Sequence, residues 1–108
     1  MDSSNQRYIT EQFDIAMKAL VGRGDIKERL LSAGFSLIAV FPHDLPEQLR
    51  EDHRALLEEL TEVSLEDPDH QGTLSATVEA LSDEEAEDLA RKIYELSKRL
   101  QQILRGPL

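Results

Sequence analysis

The sequence contains no cysteine and no tryptophan, and only five of its 108 residues are aromatic. Without cysteine the chain has no disulfide bond, no thiolate nucleophile and no cysteine-ligated zinc. The scarcity of aromatic residues predicts a core that is mainly aliphatic. Because 40% of the residues are apolar and 31% are charged, the composition is that of a globular protein. The length predicts a single helical domain over residues 1–108.

Long apolar runs are also missing from the sequence. No run approaches the roughly 20 residues that a membrane-spanning helix needs. The first residues lack both the basic stretch and the apolar centre of a secretion signal. We therefore expect no membrane association and a cytoplasmic location.

Positive charge is scarce, since 12 basic residues face 22 acidic ones and the net charge is −10. A nucleic-acid-binding protein needs a basic surface, so nucleic-acid binding is disfavoured. Residues 43–72 hold most of the imbalance, with ten acidic and two basic residues. Within them, Glu58, Glu59 and Glu62 are candidate partner-binding residues for a protein with a basic surface. The alternative is a solvated surface that only keeps the protein soluble.

Helical periodicity covers most of the chain and predicts an all-α fold, a compact bundle of four to five helices. The first helix is predicted over residues 4–21 and the last over residues 83–104. The second begins at Asp25 and has one apolar side, formed by Ile26, Leu30, Ala33, Leu37 and Phe41. The third begins near Pro46 and extends its apolar stripe to Val63. Residues 64–72 are predicted to form the longest loop, and a short helix of about two turns follows with Leu74, Val78 and Leu81.

Residues 35–41 form a short apolar run, partly β-branched, that fits either a helix or a buried strand. A strand needs a partner for its backbone groups, and nothing else in the chain has comparable strand character. We therefore favour a helix and keep the strand as the alternative.

The last helix has the clearest start signal, a capping box of Ser82 and Glu85. Its apolar positions repeat as in a coiled coil: Ala86, Leu89, Ile93, Leu96, Leu100 and Ile103. Only about two and a half heptads are present, so we predict that the stripe is intramolecular core. A homodimer stays possible through another surface. The exposed side carries acid–base pairs four residues apart, predicted as Glu87–Arg91, Asp88–Lys92 and Glu95–Arg99.

The sequence offers no recognisable catalytic, cofactor-binding or metal-binding site. Its three histidines are widely separated, and no nucleophile–base arrangement accompanies the carboxylates. His53 differs because it occupies an otherwise apolar stripe. It is either a ligand or pH-sensing group, or a boundary residue whose ring packs and whose nitrogens find partners. The sequence thus favours a protein without catalytic activity over an enzyme.

Three blocks of the chain resemble small uncharacterised bacterial proteins: Gly22–Leu30, Leu45–Arg50 and Ser82–Ala90. The resemblance implies a bacterial, all-helical, cytoplasmic protein. It implies no activity and no site residue.

Three functions remain open from the sequence. The first is a small acidic adaptor or regulatory module that acts by binding another macromolecule. The alternative is a ligand-binding or enzymatic helical bundle with a site around His53. The third is a DNA mimic, in which carboxylates form a double row that resembles phosphates. We expect no cofactor.

Overall fold

The computed structural model describes residues 3–63 and 70–105 as five α-helices and one short 3-10 turn. The helices are α1 (Ser3–Leu20), α2 (Ile26–Ile38), α3 (Glu47–Leu60), α4 (His70–Ala80) and α5 (Asp83–Arg105). The described ranges contain no strand, which confirms the all-α bundle. None of these helices is long and apolar enough to cross a bilayer. The assignment of the whole chain to one domain stays a prediction.

A tight glycine turn joins α1 to α2. Gly24 has a φ of +104°, a left-handed conformation that glycine adopts without steric strain. Asp25 then caps α2 as predicted, accepting a hydrogen bond of 2.9 Å from the backbone N–H of Glu28. Arg29 donates to the carbonyl of Leu20 at 2.8 Å and to that of Gly24 at 3.1 Å. The end of α1 is thereby tied to the start of α2.

Residues 35–41 are helical as far as Ile38, which confirms the helix and removes the strand alternative. The predicted apolar side of α2 is wrong at its last position, because Phe41 lies beyond the helix and is 60% exposed. Pro42 explains this, since the residue before a proline is driven out of the helical region. Phe41 accordingly has extended backbone angles of −85° and 141°.

The third helix ends at Leu60, so Val63 lies after it and not on its stripe. Thr61 leaves the helical conformation, and its hydroxyl donates to the Leu57 carbonyl at 2.7 Å. The backbone N–H of Val63 then donates to the hydroxyl of Thr77 at 3.0 Å. The residues after α3 are therefore held against α4.

The fourth helix is longer than predicted and begins within the predicted loop. Residues 70–72 are helical, so the loop prediction is wrong there, while residues 64–69 lie outside the described part of the chain. The helix has 11 residues, or about three turns, and buries Leu74 and Val78. A Cβ atom at Gly34 would lie only 2.9 Å from Cδ2 of Leu74. A side chain at position 34 would therefore force the end of the Leu74 side chain to shift where α2 and α4 meet.

One hydrophobic cluster includes residues from all five helices. The fifth helix occupies a central position in it, because α5 packs against α1, α2 and α3. Its apolar stripe is buried within this single chain at Ala86, Leu89, Ile93, Leu96 and Leu100. The prediction that this stripe is intramolecular core is confirmed.

The predicted capping box begins α5. The N–H of Ser82 donates to the Glu85 carboxylate at 2.8 Å, and the N–H of Glu85 donates to Oγ of Ser82 at 3.1 Å. Ser82→Ala is expected to lower the free energy of unfolding by about 1 kcal/mol, because a helix N–H loses its acceptor. Urea unfolding followed by circular dichroism measures the loss. The control is Ser32→Ala at an exposed site within α2, where alanine favours the helix. Equal losses in the two variants would contradict the capping role.

Candidate functional site

Two of the three candidate acidic residues lie in the last turn of α3 and the third just after it; all are exposed, but they do not share one environment. Glu58 forms an ion pair with Arg54 on its own helix. Glu59 crosses to α5, where its two carboxylate oxygens accept from Nζ of Lys92 at 2.9 and 3.0 Å. Glu62 follows the helix and lines a depression between α3 and α5. The structure therefore brings Glu59 and Glu62 to one site and leaves Glu58 outside it.

Two adjoining depressions run between α3 and α5. The larger, about 330 Å³, is lined by Asp52, Ala55, Leu56, Glu59, Lys92, Glu95, Leu96 and Arg99. The smaller, about 180 Å³, is lined by Glu59, Glu62, Leu81, Glu85, Asp88, Leu89 and Lys92. Because both include Glu59 and Lys92, they form one surface feature, which we call the α3–α5 groove.

The α3–α5 groove is acidic on both sides. Its lining contains six carboxylates and two cations. The cations, Lys92 and Arg99, pair across the groove with Glu59 and Asp52. These pairs are about half exposed, so water screens them and they add little stability. Four carboxylates remain in excess, and the groove carries a negative field.

The three ion pairs predicted along α5 are all wrong, two of them because their cations cross to α3. Lys92 pairs with Glu59 and not with Asp88, and Arg99 pairs with Asp52 and not with Glu95. Arg91 pairs with Asp88, three residues before it, in place of Glu87. The carboxylates of α3 lie within reach of the cations of α5, as do the carboxylates one turn along α5 itself. Spacing along one helix cannot decide between them.

Glu85 is an acidic group of the α3–α5 groove that is fixed in position. The hydrogen bond from the backbone N–H of Ser82 holds the pKa of the Glu85 carboxyl below its ordinary value. Glu85 is therefore charged near neutral pH. A capping residue of α5 thus also supplies permanent negative charge at one end of the groove.

Sequence reasoning missed the four other acids of the groove: Asp52, Glu85, Asp88 and Glu95. The excess of acidic residues in 43–72 indicates one side of the groove, but it does not show that α5 forms the other side. The spacing of the acidic residues within each helix does carry a signal. Asp52 and Glu59 are seven residues apart, as are Asp88 and Glu95, which places each pair on one side of its helix.

His53 lies away from the groove, in the core between α1, α2 and α3. Its ring is fully buried, and its centroid is 6.3 Å from that of Phe13. Neither ring nitrogen has a well-formed hydrogen bond to any described residue. Burial lowers the pKa of the imidazole, and the nearby backbone of Leu37 opposes this effect more weakly. The ring packs as the boundary-residue interpretation predicts, but it is fully buried and not at a boundary, and among the described residues the backbone of Leu37 is the one group that acts on its nitrogens.

Within residues 3–63 and 70–105, no three histidine or carboxylate side chains are placed to hold a metal ion. His53 lines neither depression of the α3–α5 groove. Of the two candidate sites named from the sequence, the acidic one therefore borders, through Glu59 and Glu62, an accessible depression of the described surface, and His53 does not.

Comparison with protein-family models, curated proteins and solved structures finds no match for this chain. The resemblance of the three sequence blocks stays a prediction.

Proposed function

We propose that this protein acts as a binding module whose α3–α5 groove receives a basic amphipathic segment of another protein. The observation that carries the proposal is the groove's lining, in which carboxylates from two helices accompany aliphatic side chains, of which Ala55 is exposed and Leu81 half-buried. Basic residues of the partner would meet the carboxylates, and its apolar residues would contact Ala55 and Leu81.

A helical partner fits this groove best. The ion pairs Asp52–Arg99 and Glu59–Lys92 show that α3 and α5 run antiparallel, because positions rise along one helix as they fall along the other. The surface between two such helices accepts the ridge of a third helix. Acidic side chains that recur every seven residues would meet lysine or arginine at the same spacing on the partner.

The same groove is unsuited to pairing with itself. In a twofold dimer each groove would face its own copy, and the excess carboxylates of both chains would repel one another. We therefore propose a partner of different sequence. A cytoplasmic bacterial protein fits the resemblance described above.

The two other functions have less support. An enzymatic or ligand-binding site around His53 would need an opening to solvent, and the ring is fully buried. A DNA mimic would present regular rows of unpaired carboxylates. Here Lys92 and Arg99 interrupt the rows, which favours a protein partner. The DNA-mimic hypothesis stays a prediction.

The proposal is tested with an 18-residue helical peptide of leucine and lysine as the probe. Glu59, Glu62 and Glu95 are changed together to glutamine, which removes three charges from the groove and keeps side-chain size. We expect the peptide to bind roughly tenfold more weakly, since each exposed charge contributes a fraction of a kcal/mol. Raising the salt from about 50 to about 500 mM should weaken binding to the unmodified protein. Isothermal titration calorimetry measures both effects.

The matched control changes Glu11, Glu58 and Glu87 to glutamine, which alters net charge equally outside the groove. Binding to this control should stay within about twofold of the unmodified protein. If both triple variants weaken binding equally, the acidic residues act only through net charge and the groove is not the site. Circular dichroism confirms that each variant is folded.

A further inference from the structure

A second groove lies on the other side of α5, between α1 and α5. Its volume is about 250 Å³, and its floor is apolar, formed by Phe13, Leu100 and Leu104. The polar side chains in its lining are Thr10, Asp14, Ser97, Gln101 and Arg105. This α1–α5 groove shares no lining residue with the α3–α5 groove, so an inference about it is independent of the proposed function.

Ser97 is the unusual residue of the α1–α5 groove. It is only 1% exposed, and its hydroxyl has no hydrogen-bond partner among the described residues. A serine within a helix commonly donates back to the carbonyl four residues earlier, but Ser97 does not. Burial without a partner is unfavourable for a hydroxyl, because the bonds it would make to water are lost.

Thr10 provides the comparison within the same groove. Its hydroxyl donates to the Gln6 carbonyl at 2.8 Å, so its hydrogen-bonding requirement is met inside α1. Of these two hydroxyls in the lining, Ser97 alone lacks a partner. A bound molecule that places a polar atom beside Ser97 would supply the missing bond.

We propose that the α1–α5 groove binds a small uncharged apolar molecule that carries one hydroxyl or carbonyl group. The apolar body packs on Phe13, Leu100 and Leu104, and the polar group pairs with Ser97. A cavity of about 150 Å³ holds benzene, so 250 Å³ suits a ring with a short alkyl substituent. At Ser97 itself, which is 1% exposed, an uncharged polar group is favoured because a charged one would be desolvated.

The test compares 4-ethylphenol with ethylbenzene, which differ by one hydroxyl. The unmodified protein should bind the phenol roughly tenfold more tightly, because its hydroxyl pairs with Ser97. In Ser97→Ala this preference should disappear, while ethylbenzene should bind as before. Chemical-shift titration of the backbone amides gives the affinities, and the shifts should be centred on residues 10–14 and 97–105.

Thr10→Ala is the control, since it removes the groove's other hydroxyl and should leave the preference for the phenol intact. Ser97→Ala replaces an unpaired hydroxyl with a strong helix former, so it should unfold at the same or a higher temperature than the parent. The proposal is overturned if neither compound binds, if the preference survives in Ser97→Ala, or if Thr10→Ala is the variant that loses it.

Discussion

Replacing Ile93 with aspartate is expected to leave the protein unfolded at room temperature. Ile93 is fully buried near the middle of α5, the helix that contacts α1, α2 and α3. The variant loses a large apolar side chain and buries a carboxylate without a partner, which together cost several kcal/mol. The total stability of a domain this size is only about 5–15 kcal/mol. Loss of the helical signal in circular dichroism is the measurement.

Tyr94→Asp is the matched control for Ile93→Asp because it introduces the same charge one residue further along α5. Tyr94 is 45% exposed, so its aspartate stays hydrated and the protein should remain folded. If the unmodified protein is a dimer and Ile93→Asp is a folded monomer, the assignment of Ile93 to the core of a single chain is contradicted. That result would show that the stripe of α5 forms a seam between two chains, and sedimentation equilibrium would reveal the change.

Acidification is expected to destabilise the protein through His53. The pKa of the buried ring is lowered in the folded state, so the folded protein keeps it neutral. The ring of the unfolded chain has an ordinary pKa of about 6.5 and takes up a proton first as the pH falls. Stability is therefore complete above about pH 7.5 and decreases as the pH falls through about 6.5 toward the lowered pKa. The slope approaches 1.4 kcal/mol per pH unit, roughly the value for one proton.

Among the described residues, no charged side chain is identified that would compensate for a proton on this ring. Phe13 of α1 and the backbone of Leu37 in α2 are the groups identified beside it, and the opposing effect of Leu37 is the weaker one. His53→Leu should remove the pH dependence between about pH 7.5 and 5 while keeping stability near neutrality, because leucine fits the apolar stripe. Urea unfolding at a series of pH values provides the test.

His43→Gln is the control for His53→Leu, since the imidazole of His43 is mostly exposed. That variant should keep the pH dependence of the unmodified protein. If the free energy of unfolding of His53→Leu changes with pH as steeply as that of the parent, other titrating groups cause the pH dependence and His53 does not.

The helices could be predicted from the sequence because each carries its own signal. Apolar spacing located α1, α3 and α5, and the Ser82–Glu85 box identified the start of α5 to the residue. Phe41 is an exception to the apolar spacing of α2, since Pro42 disfavours the helical conformation at the residue before it. Local chemistry thus accounts for nearly all of the secondary structure.

The candidate site was only partly predictable because it depends on which helices become neighbours. Glu59 and Glu62 were identified from local charge, whereas the α5 wall with Asp88 and Glu95 required the packing of two distant segments. The same limit applies to His53. Periodicity places it on the inner side of α3, but its hydrogen-bond partners come from other helices, and no pattern within α3 shows how few of them the described residues provide.

The crossing of α2 and α4 has a consequence for how this sequence can diverge. Gly34 leaves the space that the end of the Leu74 side chain occupies, with a hypothetical Cβ only 2.9 Å from it. The two positions therefore share one volume. In a descendant that keeps this contact, we expect a larger residue at position 34 to be tolerated best together with a smaller one at position 74. The two positions are thereby coupled although they lie 40 residues apart in the sequence.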